Sequence, residues 1–183
     1  MQIAILNGEP DSTSEFQRFL SSVTQRLTEA GHAVHLLTLR KLDLKGCSGC
    51  WGCWVKTPGE CVKRDDSAQV CRAAIRADLL LLASPMRMGF TTALLKRTLD
   101  QMIPLVHPYL EVEGGELHHR ARYARSPKLG LLLGLNDSSD AEDIEITTAI
   151  WSRTARNLKS SMVFAVCTNR SAEEVADEIA LAA

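Results

Sequence analysis

The chain has 183 residues, 45% of them hydrophobic, and a formal net charge of −1. That length and apolar share suit a single domain, 1–183, with a full core, and leave little room for a second. No apolar run approaches the length of a membrane span and no net basic field draws nucleic acid, so neither partner is expected.

Residues 2–6 form a short apolar run that Asn7, Gly8 and Pro10 break, which predicts a buried strand and then a loop. The N-terminus runs straight into this strand, without a basic region followed by a long apolar stretch. No signal peptide is therefore expected, and the expected setting is the cytoplasm. From Ser12 onward, Phe16, Phe19, Leu20, Val23 and Leu27 recur at helical spacing, Ser12 and Glu15 make a capping-box pair, and Gly31 ends the segment. Ala33 to Leu39 is a second apolar run, and Asp78 to Ser84 a third. Helices are predicted at about 66–76 and 91–102, the latter with Leu94, Leu95, Thr98, Leu99 and Met102 on one face. Leu129 to Leu135 and Met162 to Cys167 complete five strands, with helices at about 140–158 and 171–181. Two segments read as irregular: a cysteine-rich loop at 45–66, and residues 103–127 with Gly114-Gly115, His107, His118, His119 and several arginines.

Continuous apolar strands joined by amphipathic helices imply a parallel sheet covered on both faces. With right-handed crossovers, the α/β class narrows to a flavodoxin-like three-layer sandwich, its five-stranded parallel sheet in the order 2-1-3-4-5. Ligands of such sheets bind beyond the C-terminal strand edges. The first of the loops there, Asn7 to Ser14, leads into a helix N-terminus. Its free N–H groups and the hydroxyls of Ser12, Thr13 and Ser14 suit an anion such as a flavin phosphate, while helix capping by Ser12 is the competing use.

Cys47, Cys50, Cys53 and Cys61 follow the second strand, with two, two and seven residues between them. Two-residue spacers in a glycine-containing loop let sulfurs curl round one centre, as in ferredoxin-like loops, and a reducing compartment disfavours disulfides. A [4Fe-4S] cluster, metal-free thiols and zinc all stay open, zinc being the weaker fit because structural sites prefer paired knuckles farther apart. Trp51 and Trp54 either shield such a site or anchor another subunit. Cys71, inside a predicted helix, reads as a packed core side chain. Adjacent His118 and His119 point to opposite faces of an extended stretch, which favours solvated or interface roles over a shared metal.

Asn7-Gly8-Glu9-Pro10 with its hydroxyl-rich turn, Cys47-Ser48-Gly49-Cys50-Trp51-Gly52-Cys53-Trp54 leading to Cys61 and Asp65-Asp66, Ser84-Pro85 to Gly89, and Ala93-Leu94-Leu95-Lys96 come in a telling order. Over roughly the first 110 residues the chain resembles the NAD(P)H-dependent FMN reductase and iron-sulfur flavoprotein group. The resemblance implies FMN held by the first and third loops, with Asn7, Gly8, Ser12, Thr13 and Ser14 at the phosphate and Pro85, Met86, Arg87, Met88 and Gly89 along the ring. It also implies a nicotinamide donor, NAD(P)H, an electron acceptor, and association as a homodimer or homotetramer that builds part of the flavin pocket. The expected function is an FMN-dependent oxidoreductase passing electrons from NAD(P)H to an acceptor, through a cluster at Cys47, Cys50, Cys53 and Cys61 if one is held. The cofactor carries that chemistry, so no catalytic triad is expected.

The chain departs from that pattern at three places. Glu9 and Asp11 stand where the group usually carries a serine and a basic residue, Met86-Arg87-Met88 replaces an aromatic after Ser-Pro, and no glycine pair follows the fourth strand. Two carboxylates repel a phosphate unless they point away or pair with a cation, for which Arg87 is the candidate. These departures motivate a second expectation, a flavin-free thiol redox sensor or metal-binding interaction module on the same fold.

Overall fold

A computed structural model describes residues 1–182. Its central sheet runs β2(Ala33–Thr38), β1(Gln2–Asn7), β3(Leu79–Arg87), β7(Lys128–Gly134), β8(Met162–Cys167), all parallel. Alternate side chains of β1 show why it is buried twice. Ile3 and Ile5 pack with Phe16, Leu20, Val23 and Leu27 of α1(Glu15–Glu29) and with Val175 and Ile179 of α6(Ala172–Ala182). Ala4 and Leu6 face the opposite cluster, shared by α3(Ser67–Arg76), α4(Ala93–Asp100) and α5(Ala141–Asn157). The result is the expected α/β three-layer arrangement with a mostly parallel sheet. Among the described residues no helix is long and apolar enough to cross a membrane.

Three further strands, one on the central sheet and two apart from it, distinguish the fold from the bare order 2-1-3-4-5. The third strand does not stop at Ser84 but continues through Pro85, Met86 and Arg87. It then turns back antiparallel as β4(Phe90–Thr91), through Met88 and Gly89 at φ 52° and 73°. Two successive left-handed residues are what a tight hairpin requires. The stretch 103–127 is likewise not irregular. β5(Val106–Glu113) and β6(Glu116–Ala121) form a separate two-stranded hairpin whose turn, Gly114-Gly115, has φ 59° and 82°. The glycine pair was its sequence signal. Lys159 bridges Glu111 and Glu113 at 2.6 Å each, and Arg153 meets Glu116 at 2.9 Å, fastening the hairpin to the end of α5. The first helix is capped by Ser14, whose oxygen accepts the Gln17 N–H at 3.0 Å, so capping falls to Ser14 rather than Ser12.

Candidate functional site

A cleft of about 610 Å³ opens beyond the C-terminal ends of β1, β3, β7 and β8, where the crossovers diverge to opposite faces. Glu9, Ser14 and Phe16 line one side, Pro85, Met86 and Arg87 another, and Gly134 to Asp137 with Thr168 the third. Its size falls within the range of roughly 300–1,000 Å³ usual for small-molecule sites. The Asn136 amide donates to the Met86 carbonyl at 2.8 Å, and the Leu135 N–H to the Thr168 hydroxyl at 3.0 Å, which ties the rims of β3, β7 and β8 together.

The loop after β1 is closed by its own carboxylates. Glu9 is fully buried; its Oε1 accepts the Asp11 N–H at 2.9 Å and its Oε2 the Ser14 hydroxyl at 2.8 Å. Asp11 accepts both the N–H and the hydroxyl of Thr13 at 2.8 Å each. The Thr13 N–H and, after it, the Thr13 hydroxyl hold the exposed Asp11 carboxyl below its usual value. Arg40 reaches this loop through neutral acceptors, the Glu9 carbonyl and Gln17 Oε1, both at 2.9 Å.

Of the residues expected at the phosphate, only Ser14 lines the cleft. Asn7 is buried, donating to Gln17 at 2.9 Å and accepting the Glu9 N–H at 3.0 Å. Gly8 is wedged between β3 and α4, where an added Cβ would meet Leu95 Cβ at 2.9 Å and the Ala83 carbonyl at 3.2 Å. Ser12 and Thr13 are exposed outside the cleft wall. Of the ring-facing set, Pro85, Met86 and Arg87 line the cleft, the Met86 side chain itself being packed into the core. Met88 is fully exposed, and Gly89 turns toward α5, accepting from the Thr147 hydroxyl at 3.2 Å. Both sit in the hairpin turn that the sequence reading placed inside the loop.

The two halves of the cleft therefore treat a flavin differently. Phe16, Pro85 and Leu135 beside the Met86 and Gly134 backbone suit the apolar ring and its polar edge. In the phosphate half, Ser14 and Thr13 already spend their hydroxyls on Glu9 and Asp11, and a dianion would meet both carboxylates.

A second cleft, about 650 Å³, lies between the cysteine loop and the β5–β6 hairpin. Asp43 and Asp66 exchange two hydrogen bonds of 2.8 and 2.9 Å at the base of the loop, and Asp65 accepts the Lys45 N–H at 3.0 Å. Inside it, α2(Gly52–Val55) starts after Trp51, itself left-handed at φ 58°. A Cβ on Gly52 would fall 2.5 Å from a Val62 methyl, so the glycine lets the segment at Cys61 pack closely on the Cys53 helix. Cys47, Cys50, Cys53 and Cys61 all line this cleft, with Trp51, Leu110, Leu117, His118 and His119. Trp54 stacks on Trp51 at 4.9 Å, meets His119 at 5.0 Å and donates to the Val106 carbonyl at 3.0 Å.

His119 is half-buried against Trp54, whereas His118 is withdrawn from solvent. His118 is buried, with Asn157 and Glu116 oxygens 3.1 Å from its two ring nitrogens. The Cys53 and Cys50 thiols are shifted in opposite directions. Burial, with Cys61 next, pushes the Cys53 thiol up, whereas the Gly52 N–H draws the exposed Cys50 thiol down. Cys71 is buried in α3, as expected, its thiol pushed up to about 12 by burial. The four loop cysteines suit soft metals by chemistry, but among the described residues no three His, Cys, Asp or Glu side chains converge as metal ligands.

A family model described as NADPH-dependent FMN reductase matches residues 1–122. An iron-sulfur flavoprotein of Archaeoglobus fulgidus is 31% identical over 100 residues, 55% of this chain and 44% of that protein, so the chain spans less than half the length of this relative. The NAD(P)H:quinone oxidoreductase from Methanothermobacter marburgensis superposes with a TM-score of 0.63 at 20% identity, covering 98% of this chain and 95% of that one. An FMN-dependent NADH-azoreductase from Bacillus anthracis gives 0.67 at 10% identity, covering 98% and 99%. At such identities these two structures speak for the fold alone.

Proposed function

The chain belongs to the NADPH-dependent FMN reductase family, and on that premise we propose that it is an NAD(P)H-dependent flavin oxidoreductase working at the sheet-edge cleft. The observation that carries this reading is the cleft of about 610 Å³ at the strand ends, where open parallel sheets bind ligands. A bound flavin ring would supply the chemistry, taking hydride from the nicotinamide and releasing electrons to an acceptor. The chain's own part is to bind and orient. Pro85 and Leu135 keep water from the ring, Asn136 holds the β3 rim still through the Met86 carbonyl, and Arg87 offers an exposed cation at the mouth. The test is anaerobic titration of the protein with flavin, followed by NADH or NADPH. Catalytic loss of the flavin's visible absorption supports the reading, and no flavin binding at saturation overturns it.

The finer parts of the reading are proposals of the same kind. Cys47, Cys50, Cys53 and Cys61 would be the ligands of an iron-sulfur cluster after the loop rearranges, a reading supported by the relative's name and by their common cleft. Iron and acid-labile sulfide in protein purified without oxygen would support it; their absence, with four titratable thiols, would favour the flavin-free thiol module. Association into a dimer or tetramer is supported by the exposed apolar side chains of Trp51, Leu110, Val112 and Leu117 on one side of the molecule's second cleft and hairpin, and light scattering would test it.

A further inference from the structure

Helix α1 starts where a ligand phosphate would seek donors, and an anion belonging to the chain already lies beside its cap. Glu9 is fully buried and its two carboxylate oxygens take the Asp11 N–H at 2.9 Å and the Ser14 hydroxyl at 2.8 Å. Its own N–H goes to Asn7 and its carbonyl accepts from Arg40, so backbone and side chain are both pinned. Among the described residues no cation lies in ion-pair contact with Glu9 or Asp11. Ser14 is the N-cap, so the Glu9 carboxylate lies one hydrogen bond from the positive end of the α1 dipole, the place that stabilises negative charge. A phosphate dianion would have to displace this carboxylate or stand beside both Glu9 and Asp11.

We propose that Glu9 is a built-in anion filling the phosphate seat, and that the sheet-edge cleft consequently prefers a flavin lacking the phosphomonoester, riboflavin, over FMN. This inference rests on the flavin-oxidoreductase reading and gives it a substrate class. The ring half of the cleft is the same for both flavins, so the difference between them isolates the phosphate. Arg40 spends its N–H groups on the Glu9 carbonyl and Gln17, and Arg18 on the Thr13 carbonyl, so neither guanidinium forms an ion pair with the two carboxylates a dianion would meet.

The experiment compares riboflavin and FMN by quenching of flavin fluorescence, in the full chain at low and high ionic strength. The expected result is riboflavin binding more tightly than FMN, the gap shrinking as salt screens the like charges. In Glu9→Gln, which keeps the shape and removes the charge, FMN affinity should rise about tenfold and riboflavin affinity stay put. FMN binding more tightly than riboflavin in the natural chain overturns the inference and leaves the oxidoreductase reading standing. Failure of both flavins to bind removes that reading and this inference with it. If Glu9→Gln does not fold, the salt series on the natural chain decides: FMN affinity that falls with salt means attraction and overturns the proposal.

Discussion

The Oδ2 of Asp65 accepts a 2.9 Å hydrogen bond from the side-chain amide of Gln101, tying the end of the cysteine loop to the residue that follows α4. The same carboxylate accepts the Lys45 N–H and both the N–H and the hydroxyl of Ser67. Burial pushes the Asp65 carboxyl upward, but these donors outweigh it and hold it at about 2, against 3.8 ordinarily.

Asp65→Asn should therefore loosen the loop. An amide turns one of its two acceptors into a donor facing donors, and after allowance for partial exposure the loss is roughly 1–2 kcal/mol. A folded value below the unfolded one means the stabilisation is present above about 3.8 and lost as the pH falls toward about 2. Urea unfolding of the two proteins should show a gap at neutral pH that closes across that window. A gap independent of pH would refute the assignment.

Gly8→Ala tests whether that glycine serves ligand approach or packing. Its added Cβ would meet Leu95 Cβ and the Ala83 carbonyl, neither of which can swing away. Thermal unfolding of the ligand-free variant should report a loss of about 1–3 kcal/mol. Unchanged stability with weakened flavin binding would return Gly8 to the ligand site.

Alkylation should rank the cysteines. The thiolate is the reacting form, and Cys50 is exposed with its thiol drawn down by the Gly52 N–H, while Cys71 is buried and pushed up to about 12. Mass spectrometry of the reduced chain during iodoacetamide treatment should find Cys50 modified before Cys53, and Cys71 untouched until the protein unfolds. Early labelling of Cys71 would contradict the packing of α3.

Trp54→Ala should release the β5–β6 hairpin from the cysteine loop, since it removes the Val106 bond and the contacts with Trp51 and His119 together. We expect a cost of about 2–3 kcal/mol, and Trp54→Phe, which loses chiefly the hydrogen bond, about 1 kcal/mol. Hydrogen exchange should quicken in 106–121 while β1 and β3 keep their protection; uniform quickening would mean that Trp54 supports the whole core.

Much of the architecture is written locally. Strands such as Leu79-Leu80-Leu81-Leu82 are buried on both faces, so each residue must be apolar, and the helices announce themselves by one apolar stripe. The ligand-binding edge follows from that alternation, and the four closely spaced cysteines identify their loop without any coordinates. The hairpin of β5 and β6 escaped because its strands are largely exposed and are held by residues far along the chain, Arg153, Asn157 and Lys159. The sequence by itself also determined that two carboxylates enter the first loop, but not which way they point. Only the tertiary structure turned Glu9 inward: Asn7 at a strand end and Arg40 after β2 hold its backbone, so that its carboxylate meets the Asp11 N–H and the Ser14 hydroxyl of the α1 cap. Periodicity reports what a segment buries; the aim of a single charge depends on donors that only folding brings together.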